Sequence, residues 1–142
     1  MNSVNNFRVE SIVDSTVWVD FFRGQDENVK KLIFPLIEED KIFYNSIIVS
    51  ELLIGTQTEK EYEFLMQNFD GFNYLETSQE FFKKVAQKGN FLKAKGITIP
   101  LTDLIIAVHS VERRLKLITK DRHFELIYPF LKKAGFDLMM LQ

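Results

Sequence analysis

The chain has 142 residues, of which 46% are hydrophobic and 27% charged, with 14 Phe and a net charge of −2. This length predicts one domain, residues 1–142, with a substantial core, and the composition excludes a disordered chain. Since the chain has no Cys, disulfides, thiolate metal sites and a thiol nucleophile are excluded. The negative net charge argues against general polyanion binding, so nucleic acid would be bound through a local patch or a cation.

No feature of the sequence predicts export or membrane insertion. The first ten residues, MNSVNNFRVE, lack the apolar core of a secretory signal. No apolar run approaches the roughly 18 residues needed to cross a bilayer. Together with the lack of Cys, these observations predict a cytoplasmic protein that has no membrane partner.

Short apolar segments alternate with amphipathic segments along the whole chain. In chain order, the predicted strands and helices are strand 9–13, helix 16–23, helix 29–37, strand 41–44, helix 46–53, helix 58–69, strand 72–75, helix 77–95, helix 102–111, strand 115–119, helix 121–131 and strand 137–141. Candidate N-caps are Ser15 or Thr16, Asn45, and the capping boxes Thr58–Glu61 and Thr77–Glu80. The alternation and the short connections predict an α/β fold with a parallel sheet covered by helices on both faces.

Four acidic residues stand near the predicted C-terminal ends of strands or the starts of the helices that follow them. Asp14 directly follows the first strand, and Asp121 follows the fourth strand after one intervening residue. Asp103 lies at the start of a helix, and Glu51 lies one to two turns into another. Because ligands of parallel sheets gather beyond the C-terminal ends of the strands, these four side chains are expected to face one site.

Such a cluster needs a counter-charge, because two unit charges about 4 Å apart repel by about 4 kcal/mol at an effective dielectric constant of about 20. Either some carboxylates are protonated or a cation lies among them. Oxygen ligands without Cys or a pair of His favour Mg²⁺ or Mn²⁺ over Zn²⁺. A divalent ion activates water and neutralises a phosphate, which points to phosphodiester hydrolysis.

Placement alone also allows a purely structural interpretation of these acids. The chain has 20 Asp and Glu, and helix dipoles favour acids in first turns. Asp103 and Asp121 are interpreted equally well as ordinary N-terminal caps of helices. Glu51 is interpreted in the same way as an exposed residue on an otherwise buried helix.

Four motifs in order resemble the PIN-domain toxins of the VapC type. They are VDSTVWVDFFRG (13–24), SELLIG (50–55), TDLIIA (102–107) and LITKDRHF (117–124). Their acids occur in the order of that family, 37, 52 and 18 positions apart. The resemblance runs from about Ile12 to the C-terminus.

The resemblance implies an α/β/α sandwich around a small parallel sheet, and a Mg²⁺- or Mn²⁺-dependent endoribonuclease. It implies a structured RNA substrate, such as a tRNA anticodon region or an rRNA loop. Such enzymes are typically homodimers, silenced by a cognate antitoxin protein whose tail enters a groove beside the active site.

On this basis we expect three carboxylates to ligate the metal directly, those of Asp14, Asp103 and Asp121. Glu51 would ligate it directly or through water, and Thr119 would hold a ligand carboxylate through a hydrogen bond. The chain departs from the family at His123, where many relatives carry an acid or Asn, so metal occupancy on that side is expected to differ.

Several other residues admit two interpretations each. A basic segment (Arg113, Arg114, Lys116, Lys120 and Arg122) either contacts substrate phosphates or forms a solvated helix end. Three aromatic residues of the first helix (Trp18, Phe21 and Phe22) either form core or line an interface with the antitoxin or a second copy. We expect Asp20 to be solvated and His109 to be structural.

Three alternatives to the toxin remain open at this stage. A PIN nuclease that processes RNA or cuts DNA would carry the same motifs. A non-catalytic PIN-fold binding module would not need all four acids. A receiver-like phosphoacceptor domain should carry paired acids after the first strand, whereas Asp14 stands alone there.

Overall fold

The computed structural model describes residues 9–142. Residues 1–8, which make up most of the segment examined for a secretory signal, lie outside the described residues. The strands are β1 Ser11–Val13, β2 Ile42–Tyr44, β3 Asn73–Tyr74, β4 Lys116–Thr119 and β5 Asp137–Met140. The helices are α1 Ser15–Arg23, α2 Glu27–Glu38, α3 Ser46–Ile54, α4 Glu59–Asp70, α5 Gln79–Ala94, α6 Leu101–Arg113 and α7 His123–Leu131, and a 3₁₀ turn, Lys132–Ala134, follows α7. Of these helices, none combines the length and the hydropathy that crossing a bilayer requires.

All strand pairs are parallel, and the sheet order is β3-β2-β1-β4-β5. Right-handed crossovers place α1 to α4 on one face of the sheet and α5 to α7 on the other. This α/β/α sandwich confirms the predicted fold class. The order also differs from the 2-1-3-4-5 order of receiver domains, which removes the phosphoacceptor alternative.

The core beside α1 is built largely from aromatic rings. Trp18 is fully buried, stacks with Phe22 and Phe72 at 5.5 Å, and meets Phe69 edge-on at 5.2 Å. Its indole N–H has no hydrogen-bond acceptor within residues 9–142, so its burial rests on ring packing. The core interpretation of Trp18 is therefore confirmed, whereas Phe21 and Phe22 are only partly buried.

The helix caps agree with the sequence in two places and differ in two. Asn45 and Thr58 cap α3 and α4 as predicted. The cap of α5 is Ser78, which accepts from the Phe81 N–H, so the prediction of Thr77 is wrong. The cap of α1 is Asp14 itself and neither Ser15 nor Thr16. An Asx cap and a metal-ligating carboxylate have the same sequence signature here, because both require an acid just before the helix.

A buried polar network fixes α6 against the start of α3. His109 lies in α6, is buried as predicted for a structural residue, and stacks on Phe81 at 4.0 Å. Its Nε2 donates to the Glu76 carbonyl oxygen at 3.2 Å, which leaves Nδ1 to accept from the Asn45 amide at 2.9 Å. Burial, only partly opposed by the Glu76 hydrogen bond, lowers the pKa of His109, which keeps the ring neutral. Since α3 carries Glu51 and α6 carries Asp103, this network sets the relative position of two of the four acids.

Replacing the amide of this network tests its contribution to stability. We expect Asn45→Ala to lower the free energy of unfolding by about 2–4 kcal/mol, because it removes the cap of α3 and leaves a buried His109 nitrogen unpaired. The control is Ser78→Ala, which removes only a cap at an exposed position and should cost about 1 kcal/mol. Urea unfolding measures both, and equal losses would contradict the proposed role of the network.

Candidate active site

Asp14 lies where β1 ends and α1 begins, and its carboxylate is held by two donors. Val13 pairs with Ile118 of β4, and the Asp14 N–H donates to the Ile118 carbonyl oxygen at 3.0 Å. Oδ1 accepts from the Thr16 N–H at 2.6 Å, and Oδ2 accepts from the Thr119 hydroxyl. The residue is only 3% exposed, so this acid is oriented by the protein and not by solvent.

Thr119 connects the first acid to the fourth. Its Oγ1 donates to Asp14 and accepts from the Asp121 N–H at 2.9 Å. One hydroxyl at the end of β4 therefore fixes the loop that carries Asp121 relative to the Asp14 carboxylate. Thr119 does hydrogen-bond a candidate ligand carboxylate, as the sequence predicted, and its part in metal binding stays a prediction.

Asp103 and Asp121 lie on either side of the His123 ring. His123 Nδ1 is 3.0 Å from Asp103 Oδ2 and 3.3 Å from Asp121 Oδ1, and one ligand atom from each of the three residues falls within 4.8 Å of the others. The His123 N–H also donates to Asp121 Oδ1 at 2.9 Å. The sequence singled out His123 as a departure from the family without placing its ring between the acids. The only local sequence signal for this placement of the ring is that His123 stands two residues after Asp121, at the start of a helix.

Glu51 completes the cluster from α3. Its Oε1 lies 3.4 Å from the Ser15 hydroxyl, at the start of α1. The negative charges of Asp14, Asp103 and Asp121 all act on it. The fold therefore places all four predicted acids at the C-terminal edge of the sheet, where Asp103 and Asp121, with His123, have ligand atoms within 4.8 Å of one another.

The electrostatics of the cluster show mutual repulsion between carboxylates that range from buried, at Asp14, to exposed, at Glu51. Burial raises the pKa of the Asp14 carboxyl, and the hydrogen bonds from Thr119 and Thr16 only partly offset that rise. Burial, then the charge of Asp14, raises the pKa of Glu51. Burial also raises the pKa of Asp103, against the hydrogen bond from His123.

This donor set fits a divalent cation. Within residues 9–142, neither Asp14 nor Glu51 forms an ion pair with Lys or Arg, and Asp103 and Asp121 pair only with His123. Carboxylate oxygens with raised pKa values gain most from a bound positive charge, because it relieves both desolvation and repulsion. The residues at this edge are thus able to hold such an ion.

The structural interpretation of the acids is partly correct for Asp121, wrong for Asp103, and consistent with the exposed position of Glu51. Asp121 Oδ1 accepts the His123 N–H in the first turn of α7, as a capping side chain does. Asp103 is the third residue of α6, whose cap position is Pro100 with no side-chain cap hydrogen bond. Its side chain is only 13% exposed, so capping does not explain its burial.

Most of the basic segment lies away from the acids. Arg113 ends α6, about 15 Å along the helix from Asp103 at 1.5 Å per residue. Lys116 begins β4, whereas Asp121 follows the other end of that strand. Arg113 and Lys116 therefore lie at the opposite ends of α6 and β4 from the acids, and contact between them and substrate phosphates stays a prediction.

Lys120 is near the acids but is occupied by other carboxylates. Its Nζ pairs with Asp20 and lies 3.4 Å from Asp26 Oδ2, and its N–H donates to Thr16 Oγ1 at 3.1 Å. The expectation that Asp20 is solvated is therefore wrong. Arg122 is the exposed cation that remains beside the site, paired with Glu125 at 3.2 Å.

Comparison with known proteins gives one family and a set of similar structures. The PIN domain family model matches residues 11–128, and no curated protein sequence matches the chain significantly. A chain of VapBC2 from Rickettsia felis bound to a promoter DNA fragment is similar, with a TM-score of 0.70 and 18% identity over 93% of this chain and 98% of that one. A chain of DNA-bound VapBC from Salmonella typhimurium is similar with a TM-score of 0.71 and 20% identity, over 93% of this chain and 98% of that one. A chain of VapBC-1 from nontypeable Haemophilus influenzae is similar with a TM-score of 0.70 and 19% identity, over 92% of this chain and 96% of that one.

The raised pKa of Asp14 predicts a pH-dependent penalty in metal-free protein. An acid whose pKa is raised by folding destabilises the folded protein when it is ionised. The free energy of unfolding therefore falls as the pH rises from the ordinary Asp pKa of 3.8 through the raised pKa of Asp14. Asp14→Asn removes this ionisation and keeps a capping side chain. In chelator, we expect the stability of the variant relative to the wild type to increase with pH, as measured by urea unfolding between about pH 4.5 and about pH 7.5. A difference in stability between the variant and the wild type that does not change with pH would contradict a raised pKa of Asp14.

Proposed function

Because the chain belongs to the PIN domain family, we propose that it is a single-domain, Mg²⁺- or Mn²⁺-dependent endoribonuclease and the toxin of a toxin–antitoxin pair. The observation that carries this proposal is the convergence of Asp14, Glu51, Asp103 and Asp121 at one sheet edge, with no Lys or Arg paired to them among the described residues. A cluster that only capped helices would not need four acids from four segments.

In this proposal Asp14, Asp103 and Asp121 ligate the cation directly, and Glu51 ligates it directly or through water. A bound divalent ion supplies charge neutralisation at a phosphate and activation of water. Thr119 and the Thr16 N–H hold the Asp14 carboxylate in one orientation, so that it is already in place when the ion binds.

The proposed substrate is structured RNA, such as a tRNA or rRNA loop. Arg122, exposed and next to Asp121, is the basic side chain best placed to contact a phosphate. With few cations at this edge, the bound metal supplies most of the local positive charge. A PIN nuclease of RNA processing has the same site and is the alternative. A purely binding role is disfavoured because all four acids are present and oriented.

Removal of one carboxylate charge tests the proposed nuclease. We expect Asp14→Asn to lower the rate of Mg²⁺- or Mn²⁺-dependent RNA cleavage by more than about 100-fold with little loss of folding, because a charged ligand is removed while the cap is kept. Mapping of new RNA 5′ ends after induction in cells gives the activity and the substrate together.

The matched control is Asp137→Asn, which removes the same charge at an exposed position on β5. It should cleave RNA like the wild type. Metal-dependent cleavage at the wild-type rate by Asp14→Asn would refute the proposed site.

We propose a cognate antitoxin protein as one partner, docked on the aromatic face formed by Phe21, Phe22, Phe34 and Phe64. Phe34 and Phe64 are 49% and 56% exposed, and their rings pack on Phe21 and Phe22 at 5.1 and 6.0 Å. Exposed aromatic clusters are typical of interfaces. The similar solved structures are VapBC complexes, which supports a partner of this kind. Phe21 lies about 10 Å along α1 from Asp14, within reach of an extended tail.

The enzyme is also proposed to be a homodimer. The groove between α5 and α6 supports this proposal, because Phe82 and Leu101 line it and are exposed. This surface is separate from the aromatic face, so a second copy and an antitoxin can bind at the same time.

A charge on the aromatic face should weaken antitoxin binding. We expect Phe34→Glu to raise the Kd for the purified product of an adjacent small gene by at least about 30-fold, since a buried interface aromatic contributes about 2 kcal/mol or more. The control is Phe91→Glu, because Phe91 is exposed at 38% on α5 and does not line the proposed dimer groove. Titration calorimetry measures both, and wild-type affinity in Phe34→Glu would place the antitoxin elsewhere.

A further inference from the structure

The ring of His123 occupies the space between two of the proposed metal ligands. Its Nδ1 is 3.0 Å from Asp103 Oδ2 and 3.3 Å from Asp121 Oδ1. A six-coordinate ion with bonds of about 2.1 Å has neighbouring ligand atoms about 3.0 Å apart. The imidazole nitrogen therefore already has the spacing of an adjacent ligand to each of the two carboxylate oxygens, and one ligand atom from each of the three residues lies within 4.8 Å of the others.

The backbone that carries this ring is held by the loop of Asp121. His123 is the first residue of α7, and its N–H donates to Asp121 Oδ1 at 2.9 Å. Asp121 is held in turn by Thr119, through its own N–H. The backbone of His123 thus belongs to the same hydrogen-bonded unit as the acids, and from there the ring Nδ1 reaches Asp103 Oδ2 at 3.0 Å.

We propose that His123 is a direct ligand of the cation through Nδ1, which converts an all-oxygen centre into one with nitrogen and oxygen ligands. This inference rests on the proposed divalent-metal nuclease. Imidazole nitrogen contributes little to Mg²⁺ binding, because Mg²⁺ prefers oxygen, and more to the binding of first-row transition metals. His123 therefore selects Mn²⁺ and Co²⁺ over Mg²⁺ in this protein.

A different role for the same geometry predicts the opposite result. If His123 only donates a hydrogen bond to Asp103 and Asp121, it occupies the place of the cation and competes with it. Its removal would then tighten the binding of every divalent ion. Metal affinity in a His123 variant consequently separates a ligand from an internal counter-ion.

The test measures metal binding and metal ligation in the whole chain. Titration calorimetry with Mg²⁺, Mn²⁺ and Co²⁺ compares the wild type with His123→Asn. We expect the variant to lose about 10-fold or more in affinity for Mn²⁺ and Co²⁺, with a smaller change for Mg²⁺. Pulsed EPR of the Mn²⁺-loaded wild type should show coupling to a histidine nitrogen that is absent from the variant. The chain has two His, and the other, His109, is buried in the α3–α6 network.

The control is Arg122→Ala, which alters the same loop but leaves the ring and should retain the nitrogen coupling and the Mn²⁺ preference. Unchanged or tighter Mn²⁺ binding in His123→Asn, or no nitrogen coupling in the wild type, would overturn the inference and leave the nuclease intact. Nitrogen coupling without RNA cleavage would support the ligand and refute the nuclease. No binding of any divalent ion by the wild type would overturn both.

Discussion

Parallel pairing of β1 with β4 brings Asp14 next to Thr119, 105 positions later in the chain. The two strands are sequence-distant neighbours because the chain forms β2 and β3 on one side of β1 before it returns to add β4 on the other. At the point where this crossover brings two strand ends together, an Asp follows one strand and a Thr ends the other. The hydrogen bond between them orients the most buried acid and, through the Asp121 N–H, also the loop of the fourth acid.

Repulsion between the clustered carboxylates opposes folding, and interactions elsewhere in the fold hold these carboxylates in place. Burial raises the pKa of Asp14, Glu51 and Asp103, so ionising them together opposes folding. Hydrogen bonds from Thr119 and Thr16 reduce this cost at Asp14 but do not cancel it. A protein that keeps such acids close together without Lys or Arg counter-ions, among its described residues, gains most when a cation binds. Stability and the proposed chemistry are thus linked through the same carboxylates.

Two further polar groups hold the elements that carry the acids. The Lys120 ammonium, next to Asp121, binds Asp20 of α1 and Asp26 at the cap of α2. The neutral His109 ring connects α6 to the start of α3 and to the Glu76 carbonyl. Neither group lies in the cluster, yet each fixes a helix or loop that does. Among the described residues, the Lys beside Asp121 is therefore already bound to carboxylates outside the site.

The sequence by itself determined the alternation of strands and helices, the α/β/α class, and the four acids at the ends of strands and starts of helices. These features are local: hydrophobic periodicity, turn residues and motif spacing are read within short windows. Only the tertiary structure decided that Asp14 caps α1 while Thr119 binds it, that the His123 ring lies between Asp103 and Asp121, and that Lys120 is occupied by Asp20 and Asp26. It also placed Arg113 and Lys116 at the far end of α6 and β4. Such contacts depend on strand order and on the rotation of each helix, which arise from packing between distant segments and leave no mark in the local pattern.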